Sequence, residues 1–372
     1  MKNHGISLTI RMDRAAAKRR ALRALLPAAA CLALGAGLPS SLQAQQTGAA
    51  ASGKLQIYFI DVEGGQSTLF VSPDKHSLLI DTGWPGNGGR DADRIAQAAK
   101  QAGITQIDTV LLTHYHVDHT GGVPQLVAKI PVGTFIDHGP NRETKDAATE
   151  AAYEGYQKVL ATGKYQHITA KVGQVLPVLG PEIKVKVLSA DGVLIDKPLP
   201  GAGAENPYCA KSETRPPDQT ENARSLGVEI TFGKLRILDL GDLTWDKEMQ
   251  MMCPVNRIGR VDLLVVSHHG WYQSSSPALV DAIQPRVAIM DNGEKKGGSK
   301  PTVETIRAIP GLKAEYQLHY SDEAGADNPP EAFLANLQGP DTGIGIEVMA
   351  DAGGNIAVTN QRTGATTQYP AR

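Results

Sequence analysis

Two hydrophobic periods alternate along the chain after residue 54. Short apolar runs predict buried strands, and segments with an apolar residue every three or four positions predict amphipathic helices between them. In the segment 91–102, for example, Ile95, Ala98 and Ala102 fall on one helical face. Strands are predicted over 55–60, 66–71, 77–80, 107–112, 132–136, 168–178, 183–188, within 222–232, and over 234–239, 261–267, 287–291, 316–319, 345–350 and 355–359. Helices are predicted over 91–102, 123–129, 147–162, 274–283 and 302–308.

One long segment follows neither period. Residues 192–221 contain five prolines and three glycines. A loop of this length inside a compact domain is usually functional or disordered. We therefore interpret 192–221 as a loop insertion, either over a cleft or as a flexible excursion.

The first 44 residues have the pattern of a secretion signal. Basic residues from Lys18 to Arg23 precede an apolar run over 24–38, and Leu42-Gln43-Ala44 forms a cleavage site before Gln45. The run is short and rich in alanine for a membrane span, although a retained anchor is the alternative. We expect a periplasmic or secreted protein with a linker at 45–54 and no stable membrane span once the signal is removed.

The charge of the remaining chain bears on its partners. The whole chain carries 37 basic and 39 acidic residues, and the signal holds seven of the former and one of the latter, so 30 basic and 38 acidic residues give a net charge of −8. An acidic protein does not favour sequence-independent nucleic-acid binding, which depends on many Lys and Arg contacts to phosphate. Nucleic acid is possible but not favoured, and a small molecule or a phosphodiester is the expected substrate. The sequence does not indicate an oligomeric state.

Candidate metal ligands are concentrated between Thr113 and Gly122. His114, His116, Asp118 and His119 directly follow the apolar strand predicted over 107–112. Imidazole and carboxylate groups together suit Zn²⁺, with Fe or Mn also possible. A buried strand that leads into a turn of such residues predicts a preorganised metal site.

The ends of three other predicted strands provide further candidate residues for the metal site. Asp81 ends the strand at 77–80 and is the best candidate to orient a ligand histidine through its second ring nitrogen. Asp242 follows the strand at 234–239, where a carboxylate can bridge two metal ions. His268 and His269 follow the strand at 261–267. One of the two is expected to bind metal, and the sequence does not say which.

Other polar residues have more ordinary alternatives. His138 follows a strand and either lines a cleft or lies in a plain loop, and His319 is expected in the core or on the surface. Residues 293–300 form a basic, glycine-rich loop that either attracts an anionic substrate or is simply solvated. Cys209 and Cys253 either form a disulfide in an exported protein or remain apart.

The motifs resemble those of a known superfamily. His-x-His-x-Asp-His after an apolar strand, followed by Thr-Gly-Gly, resembles the metallo-β-lactamase superfamily. The segments 60–67 and 79–83, Asn222-x-x-Ser225-Leu226, Gly241-Asp242 and the Ser-His-His-Gly at 267–270 are similar to the hydrolase domain of ComEC-type competence proteins. The resemblance implies an α/β fold, a four-layer αββα sandwich that forms a single domain over 55–372 with the loop insertion.

Two departures limit what the resemblance implies. Typical β-lactamases place a third histidine where this chain has Asn222–Ser225, which disfavours antibiotic hydrolysis. The competence proteins attach their hydrolase domain to a multi-span channel that the segments of this chain do not include, so a role in DNA uptake is not implied.

A set of roles follows from the motifs and the resemblance together. His114 and His116 are predicted to hold one zinc ion, Asp118, His119 and one of the 268–269 pair a second, and Asp242 to bridge them. Asp118 and Asp242 are the predicted catalytic residues, supported by Asp81, Asn222 and Ser225. The predicted activity is hydrolysis of phosphodiester or other ester bonds by a metal-activated water. The alternative is a non-hydrolytic protein of the same fold, either a di-iron redox enzyme or a metal-binding module.

Overall fold

The computed structural model describes residues 53–372, so the predicted signal and most of the linker lie outside the described part. Its strands, numbered along the chain, are β1 (Leu55–Phe59), β2 (Thr68–Val71), β3 (Ser77–Ile80), β4 (Ile107–Leu111), β5 (Val132–Asp137), β6 (Gln166–Thr169), β7 (Val175–Leu176), β8 (Ile183–Ala190), β9 (Val193–Leu194), β10 (Gly227–Phe232), β11 (Leu235–Asp239), β12 (Leu263–Val265), β13 (Val287–Met290), β14 (Ala314–His319), β15 (Leu334–Asn336), β16 (Ile346–Ala350), β17 (Ile356–Asn360) and β18 (Ala365–Tyr369). Its α-helices are α1 (Arg90–Gln101), α2 (Val117–Thr120), α3 (Val123–Lys129), α4 (Ala147–Leu160), α5 (Trp245–Met252), α6 (Pro277–Ile283) and α7 (Lys300–Arg307).

These strands form two sheets of nine strands. The first sheet has the order β18-β17-β16-β1-β2-β3-β4-β5-β6, and the second has the order β15-β14-β13-β12-β11-β10-β8-β7 with β9 added on β8. Strands β3 to β6 are parallel in the first sheet, and β11 to β15 are parallel in the second. The remaining pairs are antiparallel.

The two sheets pack face to face with helices on their outer faces. The layer between them is apolar and includes Phe59, Phe70, Ile80, Val228 and Ile289, all nearly fully buried. Alternate residues of the first sheet pack outward against α1, α3 and α4. Those of the second sheet pack against α5, α6 and α7. This alternation gives the four-layer αββα sandwich and confirms the predicted fold class.

The parallel strands place the predicted site residues along one rim of the sandwich. Strands β3, β4, β11 and β12 run in the same sense within each sheet, and each ends just before a predicted site residue. Ligands in α/β proteins collect at the carboxyl ends of parallel strands for this reason. The backbone also joins the sheets there, because Leu226 N donates to Thr113 O at 2.7 Å.

The segment 192–221 is folded against the second sheet. It contains β9 and a short helical turn at Cys209–Lys211, and it buries Ile195 and Leu199. The structure pairs Cys209 with Cys253 as a disulfide. Near its end, Arg215 lies over the ring of Trp245 at 3.6 Å from the ring centroid.

The structure departs from the pattern-based elements in places. Helix α5 was not predicted. Its acidic residues Asp246 and Glu248 are buried, so the buried face of the helix does not appear as an apolar pattern in the sequence. The strand predicted over 168–178 is divided between β6 and β7, and strands β15 and β18 are additional. Among residues 53–372, none of the helices has both the length and the hydrophobicity that crossing a bilayer requires.

Candidate metal centre

The turn after β4 presents its side chains in one direction. The chain leaves β4 through Thr113 and His114, and α2 begins at Val117 with His116 as the residue before it. Thr120 Oγ1 donates to His114 O at 2.7 Å, which closes the turn. Gly122 is required because a Cβ there would lie 2.1 Å from Thr82 O. The Thr-Gly-Gly sequence therefore lets the turn pack against the end of β3.

Five of the predicted ligands meet in the buried centre of the rim. Two groups of three have ligand atoms within 4.8 Å of one another, namely His114 with His119 and Asp242, and Asp118 with His119 and His269. Asp242 Oδ2 lies 3.2 Å from His119 Nε2, 3.5 Å from His269 Nε2 and 3.9 Å from His114 Nε2. Both sheets contribute, because the first three histidine and aspartate ligands follow β4 while Asp242 and His269 follow β11 and β12.

Asp81 fixes the orientation of His119. Its Oδ2 accepts from Thr113 Oγ1 at 2.6 Å and lies 2.7 Å from His119 Nδ1, and its Oδ1 accepts from Thr113 N at 2.8 Å. A fully buried carboxylate at this distance makes Nδ1 the donor of the His119 ring. With Nδ1 as the donor, Nε2 is the nitrogen that faces Asp118, Asp242 and His269, and it would offer its lone pair to a metal ion that replaced the proton there.

This arrangement fits a bound cation. His119 Nε2 and His269 Nε2 are 3.1 Å apart, and His119 Nε2 also faces two carboxylates at 3.2 and 3.4 Å. His114 Nε2 and Asp242 Oδ1 are buried and have no hydrogen-bond partner among the described residues. Unpartnered buried acceptors are costly, and a cation bound between these two atoms would satisfy both. The imidazole and carboxylate donors are those that zinc and related metals accept.

The charges in the cluster also favour positive charge at its centre. Burial alone would raise the pKa of Asp118 and of Asp242. Lys296 and His119 instead hold the pKa of Asp118 well below its usual range, and His119 does the same for Asp242. Burial would lower the pKa of His119, but Asp242, Asp118 and Asp81 raise it well above the ordinary value. In the protein alone, a proton on His119 balances the carboxylates that a metal ion would otherwise balance.

The two adjacent histidines have different positions. His269 belongs to a ligand group, whereas His268 lies outside both, with Nε2 3.3 Å from Asn222 Nδ2 and Nδ1 3.3 Å from Ser274 Oγ. Burial lowers the pKa of His268 to about 4, so its ring is neutral near pH 7. Both histidines have left-handed backbones, with φ of 58° and 53°, and Gly270 follows at 76°. Strain of this kind persists only where the surroundings enforce it.

His116 lies beside the ligand groups rather than within them. Its ring centroid is 4.7 Å from that of His114, but its Nε2 lies 2.9 Å from Glu143 Oε2. Burial would lower the pKa of His116, but Glu143, Asp118 and Asp242 together outweigh it and raise the pKa. The described side chains thus pair His116 with a carboxylate, and its metal role stays a prediction.

The remaining predicted site residues surround the ligands. Ser225 Oγ accepts from Asp242 N at 3.2 Å, and Asn222 contacts His268 as described. His138 is buried, with Nε2 2.9 Å from Glu221 Oε2. Sequence reasoning missed Glu221 and Glu143, because both lie in loops without a periodic pattern. It also missed Asp291, which follows β13 as Asp242 follows β11 and whose Oδ1 lies 3.6 Å from His269 Nδ1.

A third polar group lies apart from this centre. Asp61, Glu63 and His319 have ligand-type atoms close together. His319 Nε2 is 2.7 Å from Asp61 Oδ1, and Arg94 Nη1 is 3.2 Å from Asp61 Oδ2. The arginine supplies the positive charge there, so this group is a buried ion-pair network that links the two sheets.

Comparison with known proteins gives a consistent picture. Residues 61–193 match the model of the family described as Metallo-beta-lactamase superfamily. The chain is 24% identical over 239 residues to "Recombination protein 2" of Haemophilus influenzae, covering 64% of this chain and 24% of that protein. It is 24% identical over 242 residues to "Competence protein ComA" of Neisseria gonorrhoeae, covering 65% and 28%.

A shorter match involves a hydrolase. The chain is 33% identical over 105 residues to a "Hydroxyacylglutathione hydrolase" of Stenotrophomonas maltophilia, covering 28% of this chain and 37% of that protein. The chain thus spans only about a quarter to a third of the length of these relatives.

Proposed function

We propose that the protein is a metal-dependent hydrolase of phosphodiester or other ester bonds and that it belongs to the metallo-β-lactamase superfamily, whose family model matches residues 61–193. The Stenotrophomonas relative is a hydroxyacylglutathione hydrolase by name, which supports this reaction class. The similarity to the two competence proteins supports the narrower kinship with ComEC-type hydrolase domains.

One observation carries the proposal. Five buried ligand-type side chains from two sheets converge, and two of their imidazole nitrogens lie 3.1 Å apart while carboxylates surround them. Such a set is poorly satisfied by protein atoms alone. It suits two metal ions that share Asp242.

The chain's own residues have separable tasks in this proposal. His114 and Asp242, with His116 at their side, would hold one ion, and Asp118, His119 and His269 the second. Zinc suits these donors, and iron or manganese are possible. When bound, the ions supply Lewis acidity, which lowers the pKa of a water molecule and stabilises negative charge on the attacked group.

In this proposal, the side chains orient the metal ligands and the water molecule, and none of them attacks the substrate. Asp81 and Thr113 hold the His119 ring through the contacts given above, and Ser225 holds the backbone of Asp242. Asp118 is the carboxylate best placed to orient a water molecule, because it lies at the edge of the centre. No serine or cysteine nucleophile is required.

The test is metal analysis joined to a substrate screen. We expect the purified protein without residues 1–44 to contain two zinc ions per chain and to cleave a generic phosphodiester or another ester. Asp242→Ala should lose metal and lower kcat at least about 10³-fold, because the shared ligand is removed. The matched control is Asp196→Ala, since Asp196 is exposed.

Two results would contradict the proposal. The first is full activity in metal-free protein or in Asp242→Ala. The second is a protein loaded with iron that hydrolyses none of the phosphodiester, lactone, thioester and β-lactam substrates, which would favour the redox or metal-binding alternative.

We also propose that the protein is exported to the periplasm or secreted. The signal pattern at 1–44 supports this, and so does the Cys209–Cys253 disulfide, because disulfides persist in oxidising compartments. N-terminal sequencing of protein from the cell envelope or medium should begin at Gln45. Protein that is found only in the cytoplasm with an intact N-terminus would refute export.

A further inference from the structure

A cavity of about 270 Å³ opens directly beside the metal centre. We call it the lysine pocket, and it is lined by His268, His269, Trp271, Lys295, Lys296 and Gly297. The lining combines two lysines with an indole ring and contains no carboxylate. A small cavity with a few polar groups and an apolar wall next to a reactive centre is typical of a substrate site.

Lys296 has a fixed position between the pocket and the centre. Its Nζ donates to Gly64 O at 2.7 Å and contacts the Asp118 carboxylate, and it lies 5.4 Å from the centroid of the Trp84 ring. The loop at residues 293–300, which carries Lys296, is hydrogen-bonded to the turn that carries His269, because Gly298 N donates to His269 O at 2.8 Å. These contacts therefore hold the Lys296 ammonium group at a fixed position relative to the predicted metal ligands.

The pocket retains positive charge. Lys295 is exposed and forms no ion pair with the described residues, so nothing in that part of the chain neutralises it. Asp118 pairs with Lys296 in the protein alone. Where Asp118 serves as a metal ligand, its charge is committed to the metal, and the Lys296 ammonium is then available to an anion.

We propose that the lysine pocket binds an anionic group of the substrate, a carboxylate or a phosphate, and that Lys296 sets the preference for anionic over neutral esters. This inference rests on the proposed hydrolase function. Trp271 provides the apolar wall against which the carbon part of the same substrate packs. The substrate class is thus a small ester or phosphodiester that carries a negative charge.

The experiment compares Lys296→Met with the wild-type zinc enzyme on three substrates. These are neutral 4-nitrophenyl butyrate, the carboxylate ester 4-nitrophenyl hemiglutarate and the phosphodiester methyl 4-nitrophenyl phosphate. We expect KM for one or both anionic substrates to rise about 10- to 100-fold, because a charge-assisted hydrogen bond is lost. The KM for the neutral ester should rise far less, and any fall in kcat that comes from losing the Asp118 contact should be shared by all three substrates. A rise for the hemiglutarate indicates that a separate carboxylate binds in the pocket, whereas a rise for the phosphodiester alone indicates that the scissile phosphate itself contacts Lys296.

Lys300→Met is the matched control. Lys300 pairs with Asp327 and Glu304 at the start of α7 and does not line the pocket. It should leave all three substrates unchanged. Metal content is measured in every variant, so that a loss of zinc is separated from a loss of anion binding.

The possible failures can be told apart. Equal rises in KM for the neutral and the anionic substrates, or no rise for any of them, would overturn the role of Lys296. If the wild-type enzyme cleaves no ester, the hydrolase proposal fails, and calorimetric binding of glutarate and methyl phosphate then decides the inference. Binding that is weakened at least about 10-fold in Lys296→Met supports it, and equal or undetectable binding in both proteins overturns it.

Discussion

Asp81 shows how one side chain sets the chemistry of another. It has a left-handed backbone, with φ of 59°, which Asp and Asn tolerate better than other residues with a Cβ. Its carboxylate accepts from Thr113 and from His119, and it thereby fixes which nitrogen of His119 points to the centre. Because the ring tautomer decides whether His119 can be a ligand, we expect Asp81 to control metal binding without contacting the metal.

Asp81→Asn is expected to weaken metal binding about 10- to 100-fold. Asparagine keeps the backbone conformation, but its amide group places a donor where Thr113 and His119 both need an acceptor. The measurement is the dissociation constant for zinc by competition with a chelator. Asp108→Asn is the control, because Asp108 accepts from Ser77 N at the opposite end of the same strands. Equal affinities in all three proteins would show that Asp81 does not orient His119.

At the scale of elements, the ligand turns explain what sequence patterns can and cannot predict. The helix α3 and strand β3 have the predicted bounds, because their apolar periods are long enough to be seen. The convergence of Asp242 and the 268–269 pair on the 113–122 turn was also predictable, because parallel strands place their ends on one rim. Which of His268 and His269 binds metal could not be predicted from the sequence. Both Nε2 atoms lie 3.5 Å from Asp242 Oδ2, and the grouping of His269 with Asp118 and His119 makes its metal role a prediction.

The turn after β12 gives an element-scale prediction. Gly270 has φ of 76°, and a Cβ there would lie 2.4 Å from Met290 Sδ and 3.1 Å from Gly298 N. Gly270→Ala should lower the free energy of unfolding by about 1–3 kcal/mol and also weaken zinc binding, because the turn that carries His269 must shift. Urea denaturation and chelator competition measure the two effects.

Gly311→Ala separates strain from displacement. Gly311 has a similar φ of 83°, but no atom of residues 53–372 lies within 4 Å of the added Cβ. This variant should lose about 1 kcal/mol of stability and keep its zinc affinity. If Gly270→Ala behaves like Gly311→Ala in both measurements, the turn does not hold His269 in place.

On the scale of the whole molecule, the disulfide fastens the 192–221 segment to the end of α5. The bond closes a loop between residues 44 apart, and Cys209 and Cys253 both pack against the outer core of the second sheet. The sequence placed these cysteines in an irregular loop and after an unpredicted helix, so their pairing could not be derived from either. Proximity here is a property of the folded sheet and helix together.

Replacing both Cys209 and Cys253 by serine should reduce the free energy of unfolding by about 2–4 kcal/mol. The reason is that the unfolded chain gains the freedom that the closed loop denied it. Urea denaturation with and without a reducing agent measures the effect, and reduced wild-type protein should match the double variant. A wild-type protein that is insensitive to the reductant would argue against the bond.

The division of the ligands between two sheets has a consequence for biogenesis. His114, Asp118 and His119 are synthesised more than a hundred residues before Asp242 and His269, and neither set alone forms a complete donor cage. With the proposed ligands, a newly made chain would acquire full metal affinity only after its two halves have docked. Metal binding would then indicate that the two halves of the chain have packed together. A bound metal would also stabilise the folded chain against separation of the two halves.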